Sequence, residues 1–150
     1  MSDTRQRIVV LVGLPGSGKS TYLRKLGVEG LSSDAIRKLL ADDEDDQTIH
    51  REVFTTLRFL LRQRLKTGRP VTYADATHLS PAERRPYIEM AGRYNCRVEA
   101  VFFDVPAAVC QRRNQRRRRV VPDDVIDAMS ERMVAPSKAE GFERVRVVRG

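Results

Sequence analysis

Eight consecutive residues near the start of the chain, Gly13-Leu14-Pro15-Gly16-Ser17-Gly18-Lys19-Ser20, satisfy G-x-x-x-x-G-K-[ST] at every fixed position. Glycines at these places permit backbone conformations that L-residues resist, so successive amides can point inward at phosphate oxygens. A helix starting at the end of the loop adds its partial positive charge. Gly13, Pro15, Gly16, Ser17, Gly18, Lys19, Ser20 and the following Thr21 are therefore expected to hold ATP or another NTP. Lys19 reaches the β- and γ-phosphates in this reading, and the Ser20 hydroxyl ligates Mg²⁺. Glycine-rich turns also join strands to helices without binding anything, but the complete pattern between an apolar strand and a helix argues for a nucleotide site.

Three further groups could complete such a site. Asp75 closes an extended stretch, at the sheet edge where ligands of open α/β folds collect, and could hold Mg²⁺; a loop Asp capping a turn before Thr77 is the equal alternative. Asp34 and Arg37 are three apart, which puts them on one helix face. Asp34 could take the proton of an attacking hydroxyl while Arg37 clamps an anion bidentately. The competing reading is a first-turn acid favoured by the helix dipole plus a solvated arginine. Finally, Arg112, Arg113 and Arg116 to Arg119 place six arginines in eight positions. Between two helices they make a candidate lid that closes over a triphosphate and excludes water.

The elements that must position these groups alternate. Apolar β-branched runs predict strands over 8–12, 71–74, 97–104 and 145–148, with a weaker one over 28–31. Helices are expected over 17–26 with Gly27 closing the first, then 34–41, 48–66, 81–94 with Ser80 as N-cap, from Pro106 into the arginine cluster, and from Pro122 to about 133. This pattern predicts an α/β fold: a parallel sheet of four or five strands, helices on both faces, and an arginine-rich helical lid over about 112–122. Neither an internal repeat nor a linker divides the chain, so one domain over 1–150 is expected.

Composition narrows the class. Of 150 residues, 41% are hydrophobic and 32% charged, inside the globular range. No apolar run is long enough for a membrane span and the first residues carry no apolar signal region, so a cytoplasmic protein is expected. The only cysteines, Cys96 and Cys110, suit reduced structural thiols, and His50 and His78 are the only histidines. The net charge is +8, of which the two halves carry +3 and +5. Such an excess fits a polyanionic partner but equally fits a soluble basic protein.

The residues at 13–20, Ser33-Asp34-Ala35-Ile36-Arg37, Asp75-Ala76-Thr77, Arg113-Asn114 ahead of the basic lid, and Val121-Pro122 together resemble the P-loop kinase domain of polynucleotide 5′-kinases from phage and bacterial end-healing enzymes. The resemblance implies that Lys19 and Ser20 bind the ATP phosphates and Mg²⁺. It also implies that Asp34 activates the 5′-OH, that Arg37 holds the neighbouring phosphate, and that Arg113 and Arg117 contact ATP, with Arg116 a rival. Thr77 and His78 would face the substrate, His78 standing where the family often has Asn, so that it either alters a substrate contact or is a neutral surface change. No D-x-D-x-T phosphatase pattern is present, so a separate phosphatase or ligase would act beside it. The leading expectation is γ-phosphoryl transfer from ATP to 5′-OH ends of RNA or DNA, with no membrane involved. The alternatives are a kinase of a small alcohol (sugar, antibiotic or metabolite) and a non-catalytic, ATP-responsive nucleic-acid-binding module. Low aromatic content beside the arginines speaks against the last.

Overall fold

The computed structural model describes residues 3–117 and 120–150. In chain order the elements are β1 (Arg7–Val12), α1 (Lys19–Leu26), β2 (Leu31–Ser32), α2 (Ser33–Ala41), α3 (His50–Lys66), β3 (Val71–Asp75), α4 (Pro81–Tyr94), β4 (Arg97–Phe103), α5 (Ala107–Asn114), α6 (Asp123–Arg132) and β5 (Arg144–Val148). The five strands form one sheet in the order β2-β3-β1-β4-β5, and every pairing is parallel. β1 is central, which is why residues 8–12 can all be apolar: both of their faces are covered.

The two faces are packed unequally. Ile8, Val10 and Val12 meet Val53, Leu57, Leu61 and Leu65 of α3, together with Tyr87 and Met90 of α4, in the largest apolar cluster. Their alternates Val9 and Leu11 meet Leu23 of α1, Val101 and Phe103. A third cluster joins Leu14 of the glycine-rich loop to Cys110 of α5, Val121 and Ile126 of α6. The loop at 13–20 is thereby seated on α5 and α6 as well as on the sheet.

Two boundaries differ from expectation. α1 begins at Lys19 rather than Ser17, because Gly18 sits at φ 105° as a left-handed N-cap and cannot join the helix. The extended segment expected over 28–31 contracts to the two residues of β2. Of the lid expected over 112–122, Arg112 and Arg113 end α5, residues 115–117 form a turn, and Arg118 and Arg119 lie outside the described residues. Among the described residues no helix is long and apolar enough to cross a membrane.

Candidate active site

The glycine-rich loop leaves β1 at its carboxyl end. The Gly13 amide donates to the Thr77 carbonyl at 3.1 Å, tying the loop to the segment that follows β3. Gly16 and Gly18 adopt φ 83° and 105°. A Cβ at Gly16 would lie 2.6 Å from the Cys110 carbonyl oxygen, so a larger residue would push the loop off α5. No side chain caps the first turn of α1, and the Ser17 hydroxyl is buried without a hydrogen-bond partner among the described residues. Open amides, an orphaned hydroxyl and left-handed glycines at one turn are the donor set a phosphate chain requires, and the residues present fit ATP. Ser20 and Thr21 are exposed beside them.

Lys19 folds back over this loop, its ammonium donating to the carbonyls of Gly13 at 2.6 Å and Leu14 at 3.0 Å. Burial pulls its pKa down from 10.5 to about 8, against the upward pull of Asp75 and Asp34 and with Arg117 adding to the fall. Asp75, at the end of β3, is held above the usual carboxylate range by burial, opposed by Lys19 and Arg117 and reinforced by Asp34. Lys19, Asp34, Asp75 and Arg117 thus share one electrostatic environment at the carboxyl edge of the sheet. Among the described residues no three His, Cys, Asp or Glu side chains converge as a metal cage. Mg²⁺ characteristically takes one or two protein oxygens and fills its octahedron with phosphates and water, and the Ser20 hydroxyl and Asp75 carboxylate suit that.

Asp34 lies in the first turn of α2, whose N-cap is Ser32, accepting from the Ala35 amide at 3.2 Å. Arg37 is not the solvated side chain that a plain surface helix would give. It is 5% exposed, its Nη1 stands 3.4 Å from Asp34 Oδ1, and its Nε has no hydrogen-bond partner among the described residues.

The remaining expected residues divide. Arg113 has Nη1 3.9 Å from the position a Cβ would take at Gly18, and its Nη2 donates to the Gly150 carbonyl at 2.7 Å. Pro15 stays within the loop and Thr77 serves it through its carbonyl. Arg116 is exposed, and among the described residues no hydrogen bond or ion pair engages its guanidinium. His78 requires a correction. Expected at the substrate, it is 2% exposed in the core, with Nδ1 2.6 Å from the Leu11 carbonyl and Nε2 2.9 Å from the Tyr87 hydroxyl. A carbonyl only accepts, so Nδ1 carries the proton and Tyr87 donates to Nε2. With both nitrogens engaged and the ring enclosed, His78 fixes the segment behind Asp75 and Thr77 instead of touching substrate.

One residue of the site escaped sequence reading. Asn114 is fully buried, its amide donating to the Val121 carbonyl and its Oδ1 accepting from the Val121 amide at 3.1 Å. It pins both ends of the basic turn to α5. Its position next to Arg113 was visible in the sequence, but its partner seven residues on was not.

This geometry, a glycine-rich phosphate cradle at the carboxyl edge of a parallel 2-3-1-4-5 sheet, has known counterparts. The AAA domain family AAA_33 matches residues 8–136. The chain belongs to this family. Solved structures share the AAA_33 chain's fold: a kinase from Chloroflexus aurantiacus described as putative (TM-score 0.75, 15% identity, 99% of this chain and 87% of that one), and a sugar kinase from Janibacter sp. HTCC2649 (0.69, 20%, 96% and 85%). A third is the APS kinase CysC of Mycobacterium tuberculosis, solved in complex with AMPPNP and APS (0.58, 18%, 97% and 90%). At these identities the likeness is one of fold, and it establishes a P-loop kinase-type architecture for this AAA_33 protein.

Proposed function

We propose that the protein transfers the γ-phosphoryl group of ATP to the hydroxyl of a small alcohol that carries an anionic group beside that hydroxyl. The observation that carries this reading is Arg37, buried, with its Nε unpartnered among the described residues, one helical turn from Asp34. With Nη1 on Asp34 at 3.4 Å, the buried guanidinium still has Nε to satisfy, and an oxyanion supplies that partner. Anchoring the acceptor there presents its hydroxyl to Asp34. Asp34 accepts the hydroxyl proton as the new oxygen–phosphorus bond forms, and the bond between the γ-phosphorus and the bridging oxygen breaks, ADP leaving with the electron pair. Lys19 and Arg117 hold positive charge beside the transferring group, and the amides of 13–20 hold the phosphate chain. Ser20 and Asp75 would hold Mg²⁺, which would supply charge neutralisation on the phosphate oxygens. The fold's likeness to a sugar kinase and to a kinase solved with AMPPNP and APS supports an alcohol acceptor of small size and a nucleotide donor.

The test is γ-labelled ATP with Mg²⁺ and a panel of neutral sugars, carboxylated and phosphorylated polyols, and 5′-OH oligonucleotides. Label is expected in the anionic polyols, with neutral sugars poor. Asp34→Asn should lower kcat by about 10²- to 10⁴-fold while ATP still binds. Equal use of neutral sugars, or loss of ATP binding in Asp34→Asn, would overturn the assignment. The arginine density of 112–119 and the net charge of +8 favour a second reading, transfer to a 5′-OH of RNA or DNA, whose neighbouring phosphate would meet Arg37 in the same way. That reading requires label in the oligonucleotides and steep inhibition by salt.

A further inference from the structure

A cavity of about 170 Å³ opens on the α1 side of the sheet, toward the amino ends of the strands and so away from the phosphate loop. It exists because α1 has eight residues and buries only Leu23, which leaves the lower half of this face without a covering helix. Tyr22 of α1 and Tyr73 of β3 form walls over Val9 and Val101, while Arg7, Glu99, Arg144 and Arg146 supply charge. Parallel register sets Arg144 directly beside Glu99. Yet Glu99, itself 6% exposed, is engaged instead by Arg7 on Oε1 at 2.9 Å and by Arg97 on Oε2 at 3.2 Å, the second an ion pair without hydrogen-bond geometry among the described residues. Arg144 and Arg146 are exposed and enter no ion pair among the described residues. Two residues apart on one strand, they project from the same face about 7 Å apart, close enough to grip one phosphate from two sides.

We propose that this cavity binds a nucleoside monophosphate. The phosphate lies between Arg144 and Arg146, the base rests on Tyr22 and Tyr73 above the apolar floor, and an amino or hydroxyl donor adds the hydrogen bond that the Arg97 ion pair does not make to Glu99 Oε2. Each part of the ligand answers one feature: two arginines without an ion pair among the described residues attract an anion, half-buried tyrosine rings offer a stacking surface, and the buried carboxylate oxygen, ion-paired but not hydrogen-bonded, can accept a donor. The site is separate from the phosphate loop and does not depend on the kinase reading.

The test is calorimetric titration of the full chain with AMP after saturation with AMPPNP and Mg²⁺. One AMP per chain is expected beside the occupied phosphate loop, with adenosine and inorganic phosphate each binding more weakly alone. Arg144→Ala/Arg146→Ala, two exposed positions on an edge strand, should keep the fold by circular dichroism and weaken AMP about tenfold or more. Arg37→Lys, at the acceptor position, should leave the AMP affinity unchanged. No AMP binding, or binding lost in Arg37→Lys and retained in Arg144→Ala/Arg146→Ala, would overturn the site. Should AMPPNP itself fail to bind, the kinase reading falls, while the response of AMP to Arg144→Ala/Arg146→Ala still decides this proposal.

Discussion

At the scale of single residues the protein's defining feature is a lysine kept partly dehydrated by the loop it serves. Burial disfavours the charged form of Lys19 and pulls its pKa down to about 8, while two loop carbonyls accept hydrogen bonds from the ammonium. Bound phosphates favour the ammonium, so nucleotide binding above pH 8 must draw a proton from solution. The Kd for Mg·ATP is therefore expected to be flat from pH 7 to 8 and then to rise by up to about tenfold per pH unit. Lys19→Met should bind weakly at every pH and show no such bend; a wild-type affinity unchanged up to pH 9.5 would contradict the assigned titration. Folding stability moves the other way. The unfolded chain holds this proton up to 10.5, so the free protein gains stability as pH climbs from 8 toward 10.5. The lysine was legible in the sequence because everything that defines its role lies within eight consecutive positions. His78 was not: its burial is decided by Leu11, 67 residues earlier, and by Tyr87 on the next helix. Residue type and the neighbouring Asp75 and Thr77 pointed to the site, whereas the left-handed backbone at φ 48° turns the side chain inward.

At the scale of elements, the helices and strands followed from apolar period and from Gly, Pro and Ser punctuation. Gly27 closes α1, and Ser80 with Pro81 opens α4 with a reciprocal capping box through Glu83. What punctuation cannot show is how two elements are held at a fixed distance. Asn114 does this for α5 and the chain entering α6, bridging the basic turn with two hydrogen bonds to Val121. Because α5 also carries the Cys110 carbonyl against Gly16, any loosening of this clamp reaches the phosphate loop. Asn114→Ala orphans a buried amide and a buried carbonyl, at an expected cost of about 2–4 kcal/mol in chemical denaturation. It should also raise KM for ATP more than it lowers kcat, and speed tryptic cleavage at Arg116 and Arg117. Unchanged cleavage together with an unchanged KM would reduce Asn114 to an ordinary core polar group.

At the scale of the molecule, the sheet's carboxyl edge is held from behind by a buried polar chain that reading along the sequence could not assemble. Leu11 of β1 meets His78, His78 meets Tyr87 of α4, and Arg84 of α4 links the His78 carbonyl to a two-point ion pair with Glu140. Arg84 is fully buried, so losing Glu140 alone would leave an uncompensated charge beneath the site. This chain sets an acid limit. Burial lowers His78 from 6.5 to about 4, with Lys19 and Arg84 pushing the same way against its bond to the Leu11 carbonyl. Protons therefore bind the unfolded chain in preference between those values. The stability tied to the neutral ring is complete above pH 6.5 and falls as pH drops toward 4, by about 3 kcal/mol at most. Asp75, whose pKa is raised, pulls in the opposite sense and is common to both proteins in a comparison of wild type with His78→Asn, a residue that tolerates the left-handed backbone. Urea unfolding from pH 7 to 4 should show the wild type losing stability more steeply than His78→Asn, with the difference centred near pH 5. Parallel slopes would mean that the ring takes up its proton in the folded protein as readily as in the unfolded chain. The bond from Nδ1–H to the Leu11 carbonyl, which ties β1 to the segment after β3, would survive that outcome, because the imidazolium donates from the same nitrogen.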